Sequence, residues 1–404
     1  MDKKRILIAL GFLVLCIGLG YLIYRFFFAP VPVTPSLPGQ KVSTSTIGTF
    51  PEAGIGGQKG STSTQPSTLP TAVTLPGAEA AQGKEKPVTQ LVSDAIIGVQ
   101  SSKGGMRYYN QQDGKFYRID QNGKPIPLDD KTFFDVSKVT WAPGKDESIL
   151  EYPDGSNTYY NFETKKQVTL PKHWQEFSFA PNSDKVAAKS IAISSDGSWL
   201  ISSSPDGQNV KLVEALGANA DKVDVNWSPN QQVIATSRTG DPLGADQQQI
   251  LLIGQNHENY KSLTVEGRGM VSEWSPSGGK LLYSVYSKRS DYKPELWISN
   301  AAPGTAGTER KLLNVNTWAD KCTFTDDRYV YCGIPTTLAT GAGFVPALAD
   351  QTPDIIYKID TQTGVKTELP IEGTHVVGSM FVGDDGQSIY FTDKNQNGLF
   401  RVNP

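Results

Sequence analysis

The sequence is poor in the side chains that most often carry chemistry. Its 404 residues include three histidines and three cysteines. His173, His257 and His375 lie far apart, and a zinc site draws on clustered His and Cys at ligand spacing. A G-x-S-x-G elbow is absent, and so is the α/β region that would carry it. Ser194-Ser195-Asp196-Gly197-Ser198 misses the glycine of an S-x-D-x-G box. Neither sign of charge dominates. Thirty-eight Lys and Arg stand against 41 Asp and Glu, net −3, which gives no electrostatic basis for nucleic-acid binding. Helical periodicity is missing from residue 87 onward. These absences argue against a catalytic, cofactor-dependent or nucleic-acid-binding chain. The expectation is a non-enzymatic protein with no metal and no cofactor.

Three regions differ in composition. Lys3, Lys4 and Arg5 precede an uncharged apolar run over residues 6–24, about the length that spans a hydrocarbon core. These three cations outweigh Arg25 on the far side, so the N-terminus is expected inside and the remainder outside. A cleaved signal peptide is the alternative, but Phe27 stands where a small-x-small site ending at Ala29 needs a small residue. Residues 1–28 are therefore read as cytoplasmic tip and single-pass anchor. Residues 29–86 are rich in Pro, Ser, Thr, Gly and Ala, with Phe50 their one aromatic. Such a stretch cannot bury enough apolar surface to fold and reads as a disordered linker, or as a glycosylated stalk.

Residues 87–404 repeat one pattern: an aromatic, a Pro, Ser, Asp or Gly turn, then an alternating apolar run. Trp141-Ala142-Pro143-Gly144 precedes SILEY, and Phe179-Ala180-Pro181-Asn182 precedes KVAAKSI. Trp227-Ser228-Pro229-Asn230 and Trp274-Ser275-Pro276-Ser277-Gly278 precede VIATS and LLYSV. Phe324-Thr325-Asp326-Asp327 and Phe381-Val382-Gly383 open the last two units. Two further strand-like segments follow each run, making four strands per unit. Repeated four-stranded units are the blades of a β-propeller. DAIIGVQ with GMRYYN and KFYRID supplies a further unit without the aromatic, so seven blades are expected, with six as the alternative. Seven blades leave about 45 residues each, near the ~40–45 of WD-type blades. The last unit lacks an outer strand, and residues 86–91 (KPVTQL) resemble the outer strands KKQVTL and GVKTEL. The N-terminal segment is therefore expected to close the ring. The repeated aromatic reads as a wedge between blades, and the proline ends its strand.

The aromatic-Ser-Pro turn, together with SSSPDG at 202–207, resembles the WD40-like or TolB-type propeller repeat of bacterial envelope proteins. That resemblance covers the 87–404 region. It implies a propeller and a partner-binding role in the periplasm; related propellers also cap prolyl oligopeptidase-type hydrolases. The fifth and sixth aromatic turns depart from the pattern by lacking Ser-Pro, and no second TolB domain is present.

Function is expected on the long loops 239–249, 287–295 and 335–354, which emerge together from neighbouring units. They and their margins carry Arg238, Lys288, Arg289, Asp291, Tyr292, Lys293, Phe344 and Asp350, and mixed charge with aromatics suits a protein interface. An envelope protein is the expected partner of a monomeric propeller, and an envelope glycan the alternative. Cys322 and Cys332 flank a turn symmetrically, within reach of a disulfide; two buried thiols are the alternative. Asp393, Asn395, Asn397 and Gly398 begin a calcium-loop pattern, but the twelfth position, Pro404, cannot supply the usual acid. A polar hairpin is the competing reading there.

Overall fold

A computed structural model describes residues 73–74, 79–80 and 83–404. The expected anchor and most of the expected linker lie outside those residues. Among the described residues no helix is long and apolar enough to cross a membrane.

The alternating runs form seven antiparallel sheets. The innermost strands, blade 1 to blade 7, are Ile96–Ser102, Lys138–Trp141, Trp174–Phe179, Val223–Val225, Arg268–Trp274, Cys322–Phe324 and Val377–Val382. Innermost strands lie against one another between blades 1 and 2, 2 and 3, 3 and 4, 6 and 7, and 7 and 1. The ring is closed by Val88–Val92, the outermost strand of blade 7, which pairs antiparallel with Leu399–Val402. The chain is a seven-bladed propeller sealed by its own N-terminal strand. Closure satisfies an edge that would otherwise stay unpaired.

Core clusters form between blades. Trp141 packs with Tyr109 and Phe116 of blade 1, Phe179 with Tyr159 and Leu170 of blade 2, and Trp274 with Leu252 and Leu263 of blade 4. Trp227 and Phe324 likewise face the preceding blade. Truncating one such ring would cost about 3–5 kcal/mol. Blade 7 differs. Its turn bond runs from Gly383 N–H to the Ser388 carbonyl, equivalent to Ser275 to Lys280 in blade 5. Val382 therefore holds the wedge position, packed toward blade 6, and Phe381 points the other way, into the cluster shared with blade 1. Alternation reverses the side when the pattern slips by one residue.

The Ser-Pro turns are also linked to each other. The Ser228 hydroxyl accepts from Val233 N–H at 2.9 Å and that of Ser275 from Lys280 N–H at 3.1 Å, closing each turn. Asn230 Nδ2 donates to the Gly278 carbonyl at 2.8 Å, Ser277 N–H to Asp327 at 3.0 Å, and Gly104 N–H to Asp384 at 3.0 Å. One face of the propeller is thus bound turn to turn between neighbouring blades. The segment before the closing strand also touches the rim. Val73–Thr74 pairs in parallel with the outermost strand of blade 5, Lys311–Leu312, and Glu79–Ala80 with that of blade 6, Lys366–Leu369. Strand pairing therefore begins within the stretch read from sequence as linker.

Candidate functional site

Connections between second and third strands leave on the face opposite the Ser-Pro turns. The long ones follow from where the second strands of blades 4, 5 and 6 stop: Val233–Ser237, Lys280–Tyr286 and Tyr329–Pro335.

The loops of blades 5 and 6 are clamped together. Asp291 and Tyr292 are consecutive residues at φ 52° and 56°, a conformation that costs a non-glycine residue roughly 1–2 kcal/mol. It aims both carbonyls at the next loop, where Gly341 N–H donates to Asp291 at 3.0 Å and Gly343 N–H to Tyr292 at 2.8 Å. The Phe344 ring then lies 4.5 Å from Tyr286 and 4.9 Å from Tyr292. Gly343 makes this possible, since a Cβ there would stand 2.5 Å from Cβ of Tyr286. Ser290 braces the first loop: its hydroxyl accepts from Ser287 N–H and donates to the Lys293 carbonyl at 2.6 Å.

This clamp leaves apolar groups in solvent. Phe344 is 56% exposed, Leu348 54% and Val345 50%, with Tyr292 and Leu243 also exposed. The structure brings Asp291, Tyr292 and Phe344 together. Asp350 lies beyond them, paired with Lys394 of blade 7. Arg289 turns to the blade 4 side, bonded to Glu295 at 2.5 Å and over the Trp297 ring; it lines a cavity of about 420 Å³ with Leu243, Asp246 and Glu266. Arg238 is separate, in a second cavity walled by blade 4, the connection leading into it and the start of blade 5. Sequence reading missed Leu243, Val345, Leu348, Lys222, Arg268 and Lys394. The available signal was the run Phe344-Val345-Pro346-Ala347-Leu348, apolar yet without strand alternation.

Blades 6 and 7 are joined by a buried polar network. Lys321 Nζ lies 2.7 Å from both oxygens of Asp354, and Asp354 also accepts from Val377 N–H at 2.7 Å. Burial pushes the Asp354 carboxyl up and the Lys321 ammonium down, and each charge opposes the other's shift. His375 Nδ1 lies 2.9 Å from Asp393. The same carboxylate accepts from the backbone of Val376, Asn395 and Gln396. Asp393 thus works as the cap of a tight turn, with both oxygens engaged. Among the described residues no group of three or more His, Cys, Asp or Glu is placed to hold a metal ion. Cys322 and Cys332 sit directly opposite on adjacent strands of blade 6 and are joined by a disulfide.

No protein-family model matches the sequence, and no curated protein is similar to it. Solved structures are similar in shape. An oligogalacturonate lyase in complex with manganese matches at 13% identity and TM-score 0.55, over 82% of this chain and 96% of that one. The β-propeller domain of Cps50 (Swd1) from Myceliophteria thermophila matches at 11% identity and TM-score 0.51, over 78% and 98%. TolB from Acinetobacter baumannii matches at 15% identity and TM-score 0.44, over 70% and 65%. At such identities the likeness is one of fold, and a propeller hosts many functions.

Proposed function

We propose that the propeller is a non-catalytic binding module that engages a protein through the loops of blades 4–6. The observation that carries this reading is the apolar group Tyr292, Phe344, Val345 and Leu348, exposed on loops that hydrogen bonds and ring packing hold in one shape. Exposed apolar patches rimmed by polar groups mark interaction sites. Asp291, Asp350 and Lys394 supply charge at its margin, and an apolar centre with a charged margin is the anatomy of a protein interface. The Tyr292 and Phe344 rings are inclined 40° and packed on each other, so they form no flat platform for a sugar ring. With the apolar run at 6–24 as anchor, the module would face outward from a membrane, and its partner would belong to the cell envelope.

The test is crosslinking of the full chain to a cell-envelope extract, beside a Val345→Asp, Leu348→Asp variant of unchanged melting temperature. A protein held by wild type and lost by the variant supports the reading. Recovery of wall polysaccharide alone replaces it with glycan binding. Equal capture by both chains refutes the assignment to these loops.

A further inference from the structure

We propose a second site on the same face: a cavity in which Lys222, Arg238 and Arg268 take a carboxylate of an acidic peptide segment. The inference adds to the partner-binding reading, but rests on different residues and is tested without the partner.

The cavity measures about 580 Å³. Three pieces of chain wall it: the connection Gly217–Lys222 from blade 3 to blade 4, the blade 4 loop after Ser237, and the start of the blade 5 innermost strand at Arg268 and Gly269. Its three cations face one lining acid, Asp221. Both arginines are oriented mainly by backbone carbonyls. Arg238 Nη2 donates to the Asp221 carbonyl at 2.6 Å, and Arg268 donates to the carbonyls of Gly244 and Ala245. Lys222 Nζ bonds the Asn219 amide oxygen at 2.9 Å. These partners are neutral, so they fix direction without cancelling charge. Arg238 Nη2 also forms an ion pair with Asp224 at 3.6 Å, so its charge is partly met, whereas Lys222 and Arg268 are held by neutral oxygens; Arg238 Nε is buried with no hydrogen bond. Pre-oriented guanidinium groups bind a carboxylate by paired, charge-assisted hydrogen bonds.

The cavity also shares a wall with the apolar patch. At Gly269, φ +62°, a Cβ would meet the Tyr286 ring at 2.3 Å, and that ring backs Phe344. An acidic segment beside an apolar one is therefore the ligand chemistry this face fits.

The experiment is calorimetric titration of the full chain with a capped tetraglutamate peptide. Capped tetraglutamine, inorganic phosphate and a galacturonate trimer serve as comparators. Tetraglutamate should bind at least about tenfold more tightly than tetraglutamine, and more weakly as salt is raised. Lys222 is exposed, so Lys222→Glu should fold normally and weaken tetraglutamate about fivefold or more by placing a like charge at the site. Leu348→Asp should leave it unchanged. Equal affinity for the two peptides, indifference to Lys222→Glu, or tighter binding of phosphate or galacturonate would each overturn the proposal. Equal partner capture by wild type and the Val345→Asp, Leu348→Asp variant, with tetraglutamate binding intact, would fault only the apolar-patch reading.

Discussion

Gly398 offers a sharp test of ring closure. It sits at φ +106°, in the turn before the strand that receives Val88–Val92, and a Cβ there would fall 1.7 Å from the Val92 carbonyl oxygen. In Gly398→Ala the closing strand must therefore shift. Three costs add. The backbone conformation costs about 1–2 kcal/mol, a disturbed pairing bond about 1 kcal/mol, and partial exposure of Val92, now 8% exposed, about 1–2 kcal/mol. The sum is roughly 4 kcal/mol, or about 6 °C in melting temperature for a domain of about 320 residues. Gly386 supplies the control. It lies at φ +65° with nothing within 4 Å of a Cβ, so Gly386→Ala pays only the conformational term, about 1 kcal/mol and ~1–2 °C. Calorimetric melting of both variants beside wild type decides the matter. Equal shifts would refute the argument that the seam at Val92 holds the ring.

Other outcomes follow from the same geometry. A chain lacking residues 83–92 should melt lower and self-associate, because the edge of Leu399–Val402 is left open. Reducing the Cys322–Cys332 bridge, which closes a loop of sequence separation 10, should cost about 3 kcal/mol on the chain-entropy account, read from melts with and without reductant; an unchanged melt would show that the bridge constrains nothing. The Glu273 carboxyl is pushed up to about 7 by desolvation and by Asp320. Its folded value exceeds the unfolded one near 4.3, so stability falls as pH rises from about 4.3 to 7. Glu273→Gln should then melt higher than wild type at pH 8 and equally at pH 4. The gain should be only roughly 2 °C, since Glu273 is exposed on the innermost strand and screened. Gly343→Val should raise amide exchange across the loop of blade 6 with little change in melting, since the clash with Tyr286 falls on a local unit.

Much of the fold was legible because each level of the sequence agreed with the next. Period-two alternation set the strands. The Ser-Pro turns marked where innermost strands end, because a proline cannot donate to a ladder and the serine hydroxyl closes the turn it begins. The missing outer strand of the last unit and the spare strand at 86–91 told how the ring closes. Symmetry about Asp327 placed Cys322 opposite Cys332. Phe381 was misread because a one-residue slip exchanges the two sides of a strand, and the glycine that exposes the slip bonds across the turn rather than along the sequence.

The candidate site was legible only in outline. Loop length and mixed charge pointed to blades 4–6, but not to which side chains would meet. Tyr292, Phe344 and Tyr286 come together only because Asp291 and Tyr292 adopt left-handed backbone and Gly343 leaves room for a ring. Lys222, Arg238 and Arg268 belong to three different stretches, and the ring places them around one cavity. The sequence by itself determined the repeat and the strand that seals the propeller, because these follow from local periodicity and turn chemistry; it favoured seven blades over six, and the seven sheets of the structure decided the number. Only the tertiary structure decided which loops touch, which charges lie unneutralised and which apolar groups stay in water, because those depend on contacts between residues that no local pattern links.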